Sequence, residues 1–112
     1  GMSELKVVLH VSEADRWHAA LGNLANIVQH APQPETRVVV NGSAVYVLQG
    51  QHDQLEHMAK AAAKGVAFQV CRNSLRAHDI PEDALPDWAT VVPGGVIALA
   101  EAQAEGFAYI KP

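Results

Sequence analysis

Short apolar runs alternate along this chain with longer segments in which apolar residues recur every three or four positions. Each run is rich in branched aliphatic or aromatic residues and is bounded by glycine, proline or polar residues, which is typical of a buried β-strand. The runs cover residues 5–11, 37–40, 65–71, 89–92 and 107–110. The pattern therefore predicts five strands.

Helical patterns fill the gaps between these strands. The first helix is predicted from four apolar residues at helical spacing, which are Trp17, Leu21, Leu24 and Val28. An alanine-rich helix is predicted over 54–64, because Gly65 follows it and glycine often lies just beyond a helix C-terminus. A last helix is predicted over 96–105, after the turn Pro93-Gly94-Gly95.

The segment 44–48 allows two interpretations. Its β-branched and aromatic residues favour a strand, but a strand so soon after the turn at 41–43 would form a hairpin. The rest of the chain has the spacing of crossover connections, so we favour a helix here.

Strands that alternate with helices form a mostly parallel sheet with helices on both of its faces. We therefore expect an α/β fold with a mostly parallel five-stranded sheet. The chain has 112 residues, which fits a single domain over residues 2–112.

Composition excludes several classes of function. The formal net charge is −4 and the eight Lys and Arg residues are dispersed, which argues against a nucleic-acid partner. No apolar stretch approaches the roughly 20 residues of a membrane helix, and no leader is evident, so we expect a cytoplasmic protein without a membrane partner. The single cysteine excludes an internal disulfide and a metal site made only of cysteines.

That cysteine, Cys71, is the most informative residue. It ends an apolar run and precedes a polar segment whose residues 73–77 are predicted to form a helical turn. Reactive groups of parallel sheets lie at such carboxyl ends of strands. Cys71 is either an inert buried residue or a thiolate stabilised by helix amides and arginine.

Activation of the thiol needs a modest energy. Moving its pKa from about 8.5 to about 7 requires roughly 2 kcal/mol of stabilisation of the anion. Arg72 would point to the other side of an extended segment, so Arg76 is the expected ion partner, and the amides of Asn73 and Ser74 are the expected donors. Because the chain has no second cysteine, any sulfur acceptor must be another molecule, and a dithiol oxidoreductase is disfavoured.

Other polar or small residues follow neighbouring strands and would line a ligand crevice at the same edge. These candidates are His10, Ser12, Glu13, Asn41, Gly42, Gly94 and Gly95. His10 is either a proton acceptor for the thiol or a core histidine.

The two glycines either admit an anion to bare amides or only form a tight turn. They do not form a GxGxxG motif, and no Walker-type lysine follows, so we expect no nucleotide cofactor. The histidines are scattered, and we predict no metal site.

The order of several motifs resembles the DsrE/DsrF-like family over nearly the whole chain. The motifs are His10-Val11-Ser12-Glu13, Ala20-Leu21-Gly22-Asn23, Val40-Asn41-Gly42, the block from Lys64-Gly65-Val66 to Cys71-Arg72-Asn73-Ser74-Leu75-Arg76, Val91-Val92-Pro93-Gly94-Gly95-Val96 and the ending Glu105-Gly106-Phe107-Ala108-Tyr109-Ile110-Lys111-Pro112.

The resemblance implies a three-layer α/β/α fold and assembly into homotrimers or hexamers. The best-understood members of the family carry sulfur as a cysteine persulfide, and Cys71 is the cysteine at the matching position.

Two functions follow as hypotheses. The first is a sulfur carrier, with sulfurtransferase-like activity, that exchanges sulfane sulfur with an external donor protein or thiol acceptor. The second is a non-catalytic ligand-binding or assembly module in which Cys71 is inert. Aromatic residues available for a symmetric interface are Trp17, Trp88, Phe107 and Tyr109.

Overall fold

Five parallel strands form one sheet in the computed structural model, which describes residues 4–112. In chain order they are β1 (Lys6–Val11), β2 (Glu35–Val40), β3 (Ala67–Cys71), β4 (Ala89–Val92) and β5 (Ala108–Ile110). Their spatial order is β4-β3-β2-β1-β5, and every neighbouring pair is parallel. The first two residues of the predicted domain, 2 and 3, lie outside the described residues.

Four α-helices connect or follow the strands. They are α1 (Trp17–Gln29), α2 (Asp53–Ala63), α3 (Arg72–Ala77) and α4 (Gly95–Ala104). Short 3-10 helices cover Ala14–Arg16, Gly42–Leu48 and Glu82–Ala84.

The segment 44–48, which allowed two interpretations, is helical as favoured. It forms most of the 3-10 helix Gly42–Leu48, in which Ala44, Val45 and Leu48 are fully buried. The indole Nε1 of Trp17 donates to the backbone oxygen of Ala44 at 3.0 Å and so ties this segment to α1.

The sheet has a helix layer on each face, which confirms the predicted α/β architecture. Alternating residues of β1 and β2 point to opposite faces. Leu9 and Val38 belong to the larger core, under α1, α2 and the 3-10 helix Gly42–Leu48, whereas Val8 and Val39 pack in a smaller core. That smaller core is completed by residues of α4 and the start of the last strand segment, which are Ala98, Leu99, Ala102 and Phe107.

Three of the four aromatic residues considered for an interface pack within the chain. Trp17 is fully buried, Phe107 is 4% exposed, and Trp88 packs edge-on against Phe68 at 4.8 Å between ring centroids. Tyr109 remains 42% exposed. Only Tyr109 of this group therefore presents much of its ring to the surface.

Within the described part of the chain, none of the helices has the length and apolar character needed to span a membrane. The carboxyl ends of the parallel strands meet at one edge of the sheet. Cys71 is paired in register with Val92, and Val40 is paired with both Val11 and Val70. The residues that follow these strand ends are consequently neighbours in space.

Candidate functional site at the carboxyl edge of the sheet

Cys71 is the last residue of β3 and immediately precedes α3. Its thiol is free, and the residue is only 6% exposed. The side chain points to the face of the sheet that α4 covers, because it alternates with Val70, which belongs to the opposite core. The thiol thus lies between the start of α3 and the start of α4.

Two opposing effects act on the pKa of Cys71. Burial raises the pKa, because the charged thiolate loses contact with water. Hydrogen bonds from the Ser74 hydroxyl and from the backbone amides of Ser74, Gly95 and Asn73 lower it, and together they outweigh burial. The pKa of Cys71 therefore lies below its ordinary value, which favours the nucleophilic thiolate.

The Ser74 hydroxyl is itself held in place by a backbone group. The N–H of Gly42 donates to Ser74 Oγ at 2.9 Å, so the hydroxyl proton is left to donate to the sulfur of Cys71. Gly42 adopts a positive φ of 56°, and a Cβ atom there would collide with the backbone oxygen of Ser12. Only glycine suits this close approach.

Gly95 brings the second helix to the sulfur. Gly94 precedes α4, and Gly95 is the first residue of that helix. A Cβ atom placed on Gly95 would lie 3.4 Å from Cβ of Cys71 and 3.3 Å from both Cβ and Nδ2 of Asn41. The absence of a side chain at Gly95 thus allows the start of α4 to pack closely against Cys71 and Asn41.

His10 and Asn41 form a hydrogen-bonded chain beside this close contact. His10 Nε2 lies 2.9 Å from Oδ1 of Asn41, and His10 Nδ1 lies 2.7 Å from the hydroxyl of Tyr109. Neither ring nitrogen is free to take the Cys71 proton without breaking one of these bonds. The sequence indicates Tyr109 only as a candidate interface residue. Its role here depends on the pairing of β5 with β1, which sets Val8 against Tyr109.

Arg72 and Arg76, which follow Cys71, both interact with the carboxylate of Glu82. Arg72 Nε lies 2.9 Å from Glu82 Oε2, and the charge of Arg76 also lowers the pKa of Glu82, after the hydrogen bond and charge of Arg72. Arg76 is exposed on α3. The groups that lower the pKa of Cys71 are instead a hydroxyl and three backbone amides.

Ser12 and Glu13 are the remaining predicted residues. Ser12 contributes its backbone oxygen to the close contact with Gly42. Glu13 is exposed, and its backbone oxygen accepts from the N–H of Arg16 at 3.1 Å, where it begins a 3-10 helix. The structure therefore brings most of the candidates to one edge, with Glu13 and Arg76 turned to the surface.

Within residues 4–112 no group of three potential metal ligands comes together. His57 Nδ1, for example, lies 3.0 Å from the backbone oxygen of Asp53. A groove of about 190 Å³ lies between α1 and α2, with Leu24, Lys60 and Ala61 in its lining. None of its lining residues belongs to the predicted crevice.

Comparison with known proteins gives a consistent assignment. The solved structure of MTH1491 from Methanobacterium thermoautotrophicum, a protein of unknown function, is 30% identical, with a TM-score of 0.83 over 97% of this chain and 100% of that chain. The ychN protein from E. coli shares the fold at 15% identity, with a TM-score of 0.70 over 96% of this chain and 99% of its own. No curated protein matches the chain. The family model for the DsrE/DsrF-like family matches residues 6–112, and the chain belongs to that family.

Proposed function

We propose that this protein carries sulfane sulfur as a persulfide on Cys71. The observation that supports this most directly is the lowered pKa of a thiol that receives hydrogen bonds from the Ser74 hydroxyl and from amides of two helices. Membership of the DsrE/DsrF-like family suggests a role related to sulfur relay and agrees with this chemistry.

The reaction is a transfer of one sulfur atom between thiols. The Cys71 thiolate attacks the outer sulfur of a donor persulfide, R–S–SH, and forms a new S–S bond. The S–S bond of the donor breaks, and its inner sulfur leaves as a thiolate with the bonding electron pair. An acceptor thiolate then attacks the outer sulfur on Cys71 and releases the Cys71 thiolate. There is no net oxidation or reduction.

The same hydrogen-bond donors act in the step that takes up sulfur and in the step that releases it. The Ser74 hydroxyl and the amides of Asn73, Ser74 and Gly95 stabilise the Cys71 thiolate before attack and again when it is the leaving group. Leaving-group thiols of low pKa leave faster. The site is therefore suited to take up sulfur and to release it.

Donor and acceptor must be other molecules, because the chain has a single cysteine. We propose an external donor protein or acceptor thiol, a homotrimeric or homohexameric assembly, and a cytoplasmic location, where thiols stay reduced. Exposed apolar side chains near the site support such contacts. Val96 and Ile97 are the two residues after Gly95 in the first turn of α4, and they are 71% and 60% exposed.

Burial of Cys71 supports a second candidate. At 6% exposure the thiol has the accessibility of an inert structural cysteine, as in a ligand-binding or assembly module that uses the same edge. The two functions differ in one property, which is whether sulfur is added to the thiol of the folded protein.

The test is mass spectrometry of the intact protein after incubation with a persulfide donor of low molecular mass. We expect a gain of about 32 Da, one sulfur atom, that is removed by a reducing thiol. Cys71→Ser is expected to show no gain. An unchanged mass of the folded wild-type protein, together with alkylation of Cys71 only in denaturant, would establish the inert module instead.

A further inference from the structure

The amide of Asn41 has two ends with different surroundings. Its oxygen, Oδ1, lies 2.9 Å from His10 Nε2, and an amide oxygen can only accept, so Nε2 of His10 carries the proton and donates. The other ring nitrogen, Nδ1, is engaged with the hydroxyl of Tyr109 at 2.7 Å. Both ring nitrogens of His10 thus form a hydrogen bond with a neighbouring side chain.

The nitrogen end of the same amide faces the sulfur site. Nδ2 of Asn41 lies 3.3 Å from the position that a Cβ atom of Gly95 would occupy, and Cβ of Cys71 lies 3.4 Å from that position. Within the described residues Nδ2 has no hydrogen-bond partner. It is therefore a free donor that flanks, together with the Cys71 side chain, the same position over Gly95.

The sulfur of Cys71 does not need this donor. Its stabilising partners are the Ser74 hydroxyl and the amides of Ser74, Gly95 and Asn73. If these hydrogen bonds remain with the Cys71 sulfur, a second sulfur atom bound to it would receive none of them. The free Nδ2 group lies on the same side of the site as the Cys71 side chain, because both flank one position over Gly95.

We propose that Asn41 donates from Nδ2 to the outer sulfur of a Cys71 persulfide, and that His10 is a positioning residue that fixes the Asn41 amide in this orientation. The inference rests on the proposed carrier function. If the amide turned over, Oδ1 would face the sulfur, and its partial negative charge would repel a persulfide anion. The bond from His10 Nε2 prevents this rotation, because only Oδ1 can accept from it.

The arrangement also explains why these residues come from different strands. His10 lies in β1 and is paired in register with Val39 of β2, two residues before Asn41. Tyr109 in β5 lies on the other side of β1. The sheet holds the three side chains in a row that ends at the sulfur site.

The test measures the pKa of the persulfide group, followed by its absorbance against pH in protein loaded with a persulfide donor. Asn41→Leu is expected to raise that pKa by about one unit, so that roughly tenfold less persulfide anion is present at a pH below both values. His10→Leu is expected to shift it in the same direction by a smaller amount.

His10→Gln separates positioning from a structural role. The side-chain N–H of glutamine can still donate to Asn41 Oδ1, so this variant is expected to restore the wild-type persulfide pKa. The matched control is His18→Leu, which removes an exposed histidine on α1. Circular dichroism and the unfolding midpoint of each variant show whether it is folded.

The outcomes distinguish the two proposals. Wild-type protein that takes up no sulfur overturns the carrier function and this inference with it. Wild-type protein that loads normally, with an unchanged persulfide pKa in folded Asn41→Leu, overturns only the inference. A shift in His10→Leu that persists unchanged in His10→Gln contradicts the positioning role of His10.

Discussion

The backbone N–H of Gly42 donates to the hydroxyl of Ser74 at 2.9 Å, and this bond joins the end of β2 to α3 beside Cys71. The hydroxyl accepts from one side and donates to the sulfur on the other. The backbone N–H of Gly42, just after β2, thereby orients the Ser74 hydroxyl that stabilises the Cys71 thiolate at the end of β3.

Ser74→Ala tests the two hydrogen bonds that link Gly42 through Ser74 to Cys71. The variant removes the hydroxyl donor to Cys71 and leaves the Gly42 N–H without its partner. We expect a higher pKa of the thiol, slower alkylation near neutral pH, and a loss of about 1 kcal/mol in the free energy of unfolding. Alkylation rates against pH and urea unfolding measure the two effects.

Ser43→Ala is the matched control for that variant. Ser43 Oγ also accepts a backbone N–H, from Ala14 at 3.0 Å, but it is not among the groups that act on Cys71. It is expected to lose a similar amount of stability and to keep the thiol pKa. An equal change of thiol pKa in both serine variants would contradict the role of the Ser74 hydroxyl.

Gly95→Ala tests the close approach of α4 to the side chain of Cys71. The added methyl group would lie 3.3 to 3.4 Å from atoms of Asn41 and Cys71, which is tighter than usual carbon contacts. We expect sulfur uptake and alkylation to be slowed several-fold.

Gly22→Ala is its control. Gly22 lies within α1 and has open space around it, so the same substitution is expected to stabilise the fold by about 0.5–1 kcal/mol. Reaction of the thiol should be unaffected there. Equal rates of alkylation in Gly95→Ala and wild type would show that the close contact at Gly95 does not affect reaction of the thiol.

Gly42→Ala tests the close approach of the two strand ends. Its positive φ alone costs alanine about 1–2 kcal/mol, and the contact with the Ser12 backbone oxygen adds to that cost. Gly50→Ala has a positive φ of 77° but open space, so it should show the conformational cost alone. Chemical denaturation should therefore find Gly42→Ala the less stable of the two, and equal losses would refute the role of the contact.

The pH dependence of stability follows from the lowered pKa of Cys71, in which hydrogen bonds outweigh the opposing effect of burial. The unfolded thiol has a pKa of about 8.5, so the folded state binds the proton more weakly than the unfolded state. The stabilisation is complete above about pH 8.5 and is lost as the pH falls through the folded-state value.

Unfolding of wild type and Cys71→Ser across this range measures the effect. The stability of the wild type relative to the variant should increase with pH until about 8.5. Alkylation of the folded wild type should have its midpoint below about pH 8.5. A stability difference that falls as the pH rises would mean that burial, rather than hydrogen bonding, dominates.

The amino-acid sequence alone determined the elements of this fold and the location of Cys71. Buried strands and amphipathic helices leave periodic apolar patterns, because each element must bury a face of its own. The five strands, the helical nature of 44–48 and the glycine at the start of α4 were all accessible from such local signals. The cysteine at a strand end was accessible for the same reason.

Only the tertiary structure decided which groups surround the thiol. The Ser74 hydroxyl is directed by Gly42, the Gly95 amide arrives from a helix beyond the next strand, and Tyr109 reaches His10 through the pairing of β5 with β1. Arg76, which local spacing favoured as the ion partner, lies exposed and acts on Glu82. Contacts between residues far apart in the chain depend on strand order and helix packing, and local apolar periodicity carries no record of either.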